Sequence, residues 1–103
     1  MEEGCRIDYS PSSIQSLRQI KKYLADWSEV APLTVTSMIK ERIDGLKRFP
    51  RMGKVVEKRP RFRCLVAGEY LVYYEIKEEK KLVRIADIIH SKRQQEIDRL
   101  IVG

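Results

Sequence analysis

The sequence has little of what disulfide-linked and metal-binding proteins need. Its 103 residues include only two cysteines and one histidine. Cys5 and Cys64 are too few for a disulfide framework and lack the spacing of metal ligands, so we expect both to be buried, reduced thiols. The sequence also lacks a Ser–His–Asp order, a glycine-rich phosphate loop and an acidic metal cluster. We therefore predict neither a metal site nor a cofactor.

Long apolar runs are missing as well. No stretch approaches the roughly 20 apolar residues that a transmembrane helix requires, and the first ten residues lack the basic and apolar regions of a secretory signal. We therefore expect a cytoplasmic protein with no membrane partner. An apolar fraction of 43% in 103 residues is typical of one globular domain, here spanning residues 1–103.

Positive charge is concentrated in one segment. Residues 47–63 contain eight basic side chains and one acid, Glu57, so this segment carries +7 while the whole chain carries +6. A patch of one sign attracts polyanions, which predicts a nucleic-acid or acidic-protein partner. The alternative is that the charge only keeps the protein soluble.

The N-terminal part of the sequence predicts a strand and then a helix. Residues 5–10 form a short strand candidate that Pro11 closes. Ser12 and Gln15 have the spacing of a capping box and begin the first helix. The apolar positions of this helix recur at helical spacing and end with Trp27, which we expect to be a packing residue.

A second helix and an antiparallel sheet follow. Pro32 suits the first turn of a helix that runs through Phe49 until Pro50 stops it. The period then changes to two, which predicts strands at residues 54–58, 61–67, 69–77 and 81–90. Ser91 and Gln94 form another capping box, which begins a short helix. The order predicts an α+β fold: an N-terminal strand, an antiparallel helical hairpin, a four-stranded antiparallel meander and a short C-terminal helix.

Alternation along the predicted strands assigns side chains to the two faces of the sheet. Arg61, Arg63 and Leu65 share one side, and we expect these arginines to lie on the face turned away from the helices. Tyr70 and Tyr74 are predicted core residues. The last strand is expected to place five residues on one side: Leu82, Arg84, Ala86, Ile88 and His90.

Three local patterns resemble the RelE/ParE superfamily of toxins from type II toxin–antitoxin modules. "RFPRMGK" is similar to the P-x-x-G element after the second helix, "FRCLVAGEYLVYYEI" to the arginine-led strand pair ending in Y-x-x-x-Y, and "IADIIHSKRQQ" to the terminal v-x-H-x-x-R element. The resemblance covers nearly the whole chain. It implies a growth-inhibiting toxin, associated with plasmid stabilization and neutralised by a cognate antitoxin protein.

The two branches of the superfamily imply different chemistry. A RelE-like member would be a ribosome-dependent, metal-independent mRNA endoribonuclease, with Arg63, Arg93 and His90 as its catalytic residues. Both arginines would stabilise phosphate charge, and histidine changes its charge near neutral pH. The alternative for His90, at a strand end, is capping or packing. The alternative for Arg63 is a solvated strand arginine.

A ParE-like member would instead poison DNA gyrase without a nuclease reaction. Leu65 replaces a strand lysine of the RelE pattern, and no tyrosine follows Arg93, so the sequence favours this branch. Tyr73 is a candidate for stacking on a base. The predicted target-binding residues are Lys58, Arg59, Arg61, Arg63, Tyr73, Arg84 and Arg93. A further alternative is a non-toxic basic module that binds nucleic acid.

Overall fold

The chain folds as two helices packed on one face of a five-stranded sheet. The computed structural model describes residues 4–93. In chain order the elements are β1 (Arg6–Tyr9), α1 (Pro11–Ala25), α2 (Ala31–Asp44), β2 (Lys54–Val56), β3 (Arg59–Ala67), β4 (Tyr70–Lys77) and β5 (Leu82–His90). The strands lie in the order β1-β5-β4-β3-β2, with β1 parallel to β5 and all other neighbours antiparallel. The predicted α+β class, helical hairpin and meander are confirmed.

Helix α1 is capped by Ser10 rather than by Ser12. The Ser10 hydroxyl accepts the N–H of Ser13 at 3.1 Å and donates to the Ala86 carbonyl at 2.8 Å, which ties the start of the helix to β5. Pro11 occupies the first turn, where its missing N–H costs no hydrogen bond. The predicted capping box beginning at Ser12 is wrong because the proline expected to close the strand opens the helix.

Helix α1 also ends before the position of Trp27. Its last residue is Ala25, so Trp27 lies beyond the final turn and is 73% exposed. The Trp27 ring contacts the ring of Tyr23, with centroids 6.2 Å apart. The predicted packing role of Trp27 is therefore wrong.

Helix α2 begins as predicted but ends earlier. Pro32 lies in its first turn, and Asp44 is its last residue. A 3-10 turn, Gly45–Lys47, continues the chain. Phe49 therefore lies outside the helix, in the loop that leads to β2, and its side chain is 61% exposed.

The main core lies between the helices and one face of the sheet. Its largest fully buried members from the helical side and from three strands are Ile39, Ile43, Leu46, Leu65, Val72, Tyr74, Val83 and Ile85. Each such side chain contributes roughly 1.5–3 kcal/mol by leaving water. Tyr70 and Tyr74 are core residues as predicted.

The register of β3 places Arg63 on the side of the sheet that faces the helices. Arg63 pairs with Tyr74, and Leu65 pairs with Val72. Paired residues share a face, and Leu65, Val72 and Tyr74 all belong to the core below the helices. The prediction that Arg63 faces away from the helices is therefore wrong.

A bulge changes the assignment of faces along β5. The pairing with β4 shifts between Tyr73, which faces Asp87, and Tyr74, which faces Ile85. As a result Val83, Ile85 and Ile88 all join the main core, whereas Ala86 packs on the opposite face. The predicted grouping of Leu82, Arg84, Ala86, Ile88 and His90 on one side is wrong because strict alternation does not continue through a bulge.

The predicted C-terminal helix lies mostly outside the described residues. Ser91–Arg93 forms a 3-10 turn after β5, and the remainder of the predicted helix follows Arg93. Within residues 4–93, no helix combines the length and the apolar character that crossing a membrane requires.

Candidate functional site

The loop that joins α2 to β2 (residues 48–53, the α2–β2 loop) is fastened to the sheet by two side chains. The Tyr74 hydroxyl donates to the Pro50 carbonyl at 2.6 Å and accepts the Gly53 N–H at 2.9 Å. A guanidinium nitrogen of Arg63 donates to the Gly53 carbonyl at 2.8 Å. Tyr74 is fully buried, so its hydrogen bond with the buried Gly53 N–H is shielded from water.

Gly53 has no room for a side chain. A Cβ at this position would lie 2.8 Å from the Cys64 carbonyl oxygen and 2.8 Å from both the ring and the hydroxyl of Tyr74. The P-x-x-G pattern therefore has a structural cause, since the Tyr74 hydroxyl donates to the Pro50 carbonyl and accepts from the Gly53 N–H. The sequence contained this signal, but its reason is visible only in the tertiary structure.

The same network sets the ionisation of Tyr74. Burial raises the pKa of Tyr74 above its ordinary value. The hydrogen bond from Gly53 and the positive charge of Arg63 oppose part of that rise. Tyr74 therefore stays protonated at neutral pH and can donate to Pro50.

Arg63 is a structural donor in this arrangement. It is half-buried, and it also donates to the Arg51 carbonyl at 3.3 Å. Arg51 forms an exposed ion pair with Glu78. Among the described residues, no carboxylate lies within ion-pair distance of Arg63. The charge of Arg63 therefore adds to the positive potential of this surface, while its guanidinium donates to the loop carbonyls of Arg51 and Gly53.

The other predicted target-binding cations differ in how available they are. Lys58 and Arg59 are exposed at the β2–β3 hairpin. Arg61 lies 4.8 Å from the centroid of the Phe62 ring and 3.6 Å from a carboxylate oxygen of Glu75. Lys58 and Arg59 thus present the least engaged charge of this hairpin.

Arg84 and Arg93 lie away from that hairpin. Arg84 joins β5 to β1 through an ion pair with Asp8 at 2.7 Å, which neutralises its charge. Arg93 is exposed in the 3-10 turn after β5. The structure therefore spreads the predicted target-binding residues over several surfaces instead of joining them in one patch.

His90 is engaged at the end of β5. Its Nδ1 accepts the Lys92 N–H at 3.1 Å, so the proton of the neutral ring is on Nε2, which lies 3.1 Å from a Glu69 oxygen. The ring also contacts Tyr70 edge-on, with centroids 5.2 Å apart. These contacts match the capping and packing alternative for His90.

His90 and Arg63 are not brought together. They pair with Tyr70 and Tyr74, four residues apart on β4, from the strands on its two sides. Standard strand spacings then separate their Cα atoms by roughly 16 Å. The Arg63 side chain extends toward Gly53, next to β2 and away from β5. Within residues 4–93 these two do not form one catalytic cluster.

Tyr73 lies in a second apolar cluster, on the face away from the helices. Tyr73, Leu71 and Ile89 are its buried members, and Cys64 packs against them. The prediction that the Tyr73 ring is wet enough to stack on a base is wrong, because neighbouring side chains cover it. Cys64, like Cys5, is an unbridged thiol as predicted, but both are half-buried rather than buried.

A groove between the two helices was not identified from the sequence. It has a volume of about 470 Å³ and is lined by Tyr9, Ile14, Leu17, Arg18, Lys21, Thr36 and Lys40. Its floor is apolar and its three charged side chains are all basic. In the sequence, helical spacing places Arg18 and Lys21 beside the apolar positions Ile14 and Leu17, and no stronger signal marks the groove.

Comparison with known protein families assigns the chain to one of them. The model of the family described as "ParE toxin of type II toxin-antitoxin system, parDE" matches residues 7–95. The chain belongs to this ParE toxin family. Its predicted place in the RelE/ParE superfamily of type II toxins is therefore confirmed. No curated protein sequence matches this ParE-family toxin.

Solved structures share the fold of this ParE-family toxin. The "Chromosomal ParDE TA system from P. aeruginosa" is similar with a TM-score of 0.72 at 18% identity, covering 84% of this chain and 95% of that one. The E. coli toxin RelE, as a mutant in the free state, has a TM-score of 0.67 at 15% identity over 92% of each chain. The toxin–antitoxin complex RelBE2 from Mycobacterium tuberculosis has a TM-score of 0.59 at 21% identity, covering 84% and 98%. The fold is thus shared by proteins named for both branches.

Proposed function

We propose that this ParE-family toxin inhibits growth by binding DNA gyrase, without cutting RNA. The observation that carries the proposal is the separation of the residues that a nuclease would need. Metal-free RNA cleavage requires an acid–base group and phosphate-stabilising cations around one reacting atom. Arg63 is committed to two loop carbonyls, and His90 is held by Glu69 and Lys92.

Distance strengthens this proposal. A general acid–base group must come within hydrogen-bond reach of the atom that the cation stabilises. The roughly 16 Å between the Cα atoms of Arg63 and His90, from standard strand spacings, exceeds what two side chains pointing apart can bridge. A binding mechanism requires no such convergence, so scattered cations are compatible with it.

The proposal is tested by expressing the chain alone in bacteria and following DNA and mRNA integrity in parallel. We expect growth arrest with DNA breaks and induction of DNA-damage signalling while mRNA stays intact. Purified protein should raise the yield of gyrase-dependent cleavage of plasmid DNA. Ribosome-dependent mRNA cuts would instead establish the RelE-like alternative, and unimpaired growth with confirmed expression would favour a non-toxic nucleic-acid-binding module.

Arg93→Ala is compared with Arg63→Ala to separate the two mechanisms, because Arg63 also holds the α2–β2 loop. Loss of a donor that stabilises transition-state charge lowers a rate by about 10²–10³. A gyrase-directed toxin has no such step, so we expect Arg93→Ala to change toxicity by only a few fold. Replacing Arg63 by Ala should weaken toxicity in a graded way, with a matching loss of thermal stability.

We also propose that a cognate antitoxin neutralises the protein by occupying the groove between α1 and α2. The groove combines an apolar floor with a rim of Arg18, Lys21 and Lys40. An antitoxin segment with apolar anchors and acidic flanks complements both properties. Because apolar contacts are not screened, affinity should fall with salt less steeply than in a purely electrostatic complex.

Reversal of charge in the groove tests this interface. Lys40→Glu should weaken antitoxin binding about 10-fold at low salt, mainly through slower association, because an exposed rim charge acts chiefly on the association rate. Lys80→Glu makes the same change of charge at the exposed turn between β4 and β5 and is the matched control. Equal affinities of the two variants would place the antitoxin elsewhere.

A further inference from the structure

The α2–β2 loop is fixed where it meets the sheet and exposes two apolar side chains to solvent. Its inner side is fixed by Tyr74 and Arg63, as described above. Its outer side presents Phe49, 61% exposed, and Met52, 40% exposed. These side chains and the intervening Pro50 and Arg51 line a surface notch of about 440 Å³.

Positive charge surrounds these apolar side chains. The Arg48 guanidinium lies 5.9 Å from the centroid of the Phe49 ring. Within the described part of the chain, neither Arg48 nor Lys54 has a carboxylate at ion-pair distance. Lys47 and Arg51 are paired only with exposed acids. A partner that approaches this loop therefore meets a field that favours acidic groups.

The composition and the rigidity of the loop both favour binding to another protein. Aromatic residues, methionine and arginine are enriched in protein–protein interfaces relative to other surfaces. A preformed loop also pays little conformational entropy on binding. A connection that only joined α2 to β2 would gain nothing from an exposed phenylalanine on a loop that a buried tyrosine hydroxyl fixes at Pro50 and Gly53.

We propose that the α2–β2 loop is the surface through which this toxin contacts its protein target, with Phe49 as the apolar anchor. The target surface that fits it has an apolar pocket for the ring beside acidic side chains that pair with Arg48. The loop shares no lining residue with the α1–α2 groove. Contact with the target and capture by the antitoxin thus depend on different side chains. This inference rests on the proposed gyrase-directed function.

The test compares Phe49→Ala and Arg48→Ala with wild type in direct binding to purified gyrase. Removal of an anchor side chain from an interface typically weakens binding by more than 10-fold, and we expect at least about that loss for Phe49→Ala. Arg48→Ala should weaken binding and reduce its dependence on salt. Leu33→Ala, which truncates a side chain of similar exposure, 67%, on α2, is the matched control and should bind gyrase like wild type.

Two further measurements separate this inference from its alternatives. Both variants should keep the wild-type melting temperature and antitoxin affinity, because the side chains removed are exposed and lie outside the groove. Wild-type gyrase affinity in Phe49→Ala would overturn the inference while leaving the proposed function standing. Absence of gyrase binding by the wild-type protein would instead overturn the proposed function, and the inference with it.

Discussion

Replacing Tyr74 by phenylalanine removes one oxygen atom and both hydrogen bonds that it makes with the α2–β2 loop. The Pro50 carbonyl loses a donor at 2.6 Å, and the buried Gly53 N–H loses an acceptor at 2.9 Å. A buried polar group left without a partner costs about 1–3 kcal/mol. We therefore expect Tyr74→Phe to lower the free energy of unfolding by about 2–4 kcal/mol.

For a domain near 100 residues, each 1 kcal/mol moves the melting temperature by about 4–8 °C. The expected fall is thus at least about 8 °C, measured by circular dichroism, with urea unfolding giving the free energy directly. Tyr70→Phe is the matched control: Tyr70 lies on the same strand and face and is also buried. Within the described residues, the Tyr70 hydroxyl makes no hydrogen bond, so we expect a change below about 0.5 kcal/mol. Equal stability of the two variants would refute the role of the Tyr74 hydroxyl in holding the loop.

Three further predictions concern two glycines, the ionisation of Tyr74 and the ion pair between β5 and β1. In urea unfolding, Gly53→Ala should destabilise the fold by about 1–3 kcal/mol or more through overpacking. Gly45→Ala should be neutral or slightly stabilising, because a Cβ at Gly45 would meet only a methionine methyl group at 3.3 Å. Burial raises the pKa of Tyr74 in the folded state, so the contribution of Tyr74 to stability is complete below about pH 10 and is lost as pH rises further. Chemical denaturation between pH 9 and 11 should show this loss. The Tyr74→Phe variant should show a smaller fall in the free energy of unfolding over the same pH range. A double-mutant cycle on Arg84 and Asp8 should give a coupling of about 0.2–1 kcal/mol in stability, and no coupling would mean that the pair does not help to hold β1 on the sheet.

Much of the element order follows from sequence patterns alone. Apolar spacing of three to four residues identified both helices, and the change to a period of two identified the meander, because these periods follow from backbone geometry. Pro32 was predicted in the first turn of α2 because its missing N–H costs no hydrogen bond there, and strand alternation placed Tyr70 and Tyr74 in the core. Errors at the helix ends were local: Pro11 can close a strand or open a helix, and only the Ser10 hydrogen bonds decide between these roles.

The candidate site depended on contacts between residues far apart in the chain. Alternation gave two consistent faces for β3, but which face the helices cover is set by packing, and Leu65 is buried on the side of Arg63. The bulge in β5 and the parallel place of β1 beside it leave no local pattern in the sequence. The sequence by itself thus determined the type and order of the elements, because these depend on neighbouring residues. Only the tertiary structure decided that Arg63 is a clamp for the α2–β2 loop and that Phe49 is left in solvent, because both depend on Tyr74 and Gly53 meeting across the fold.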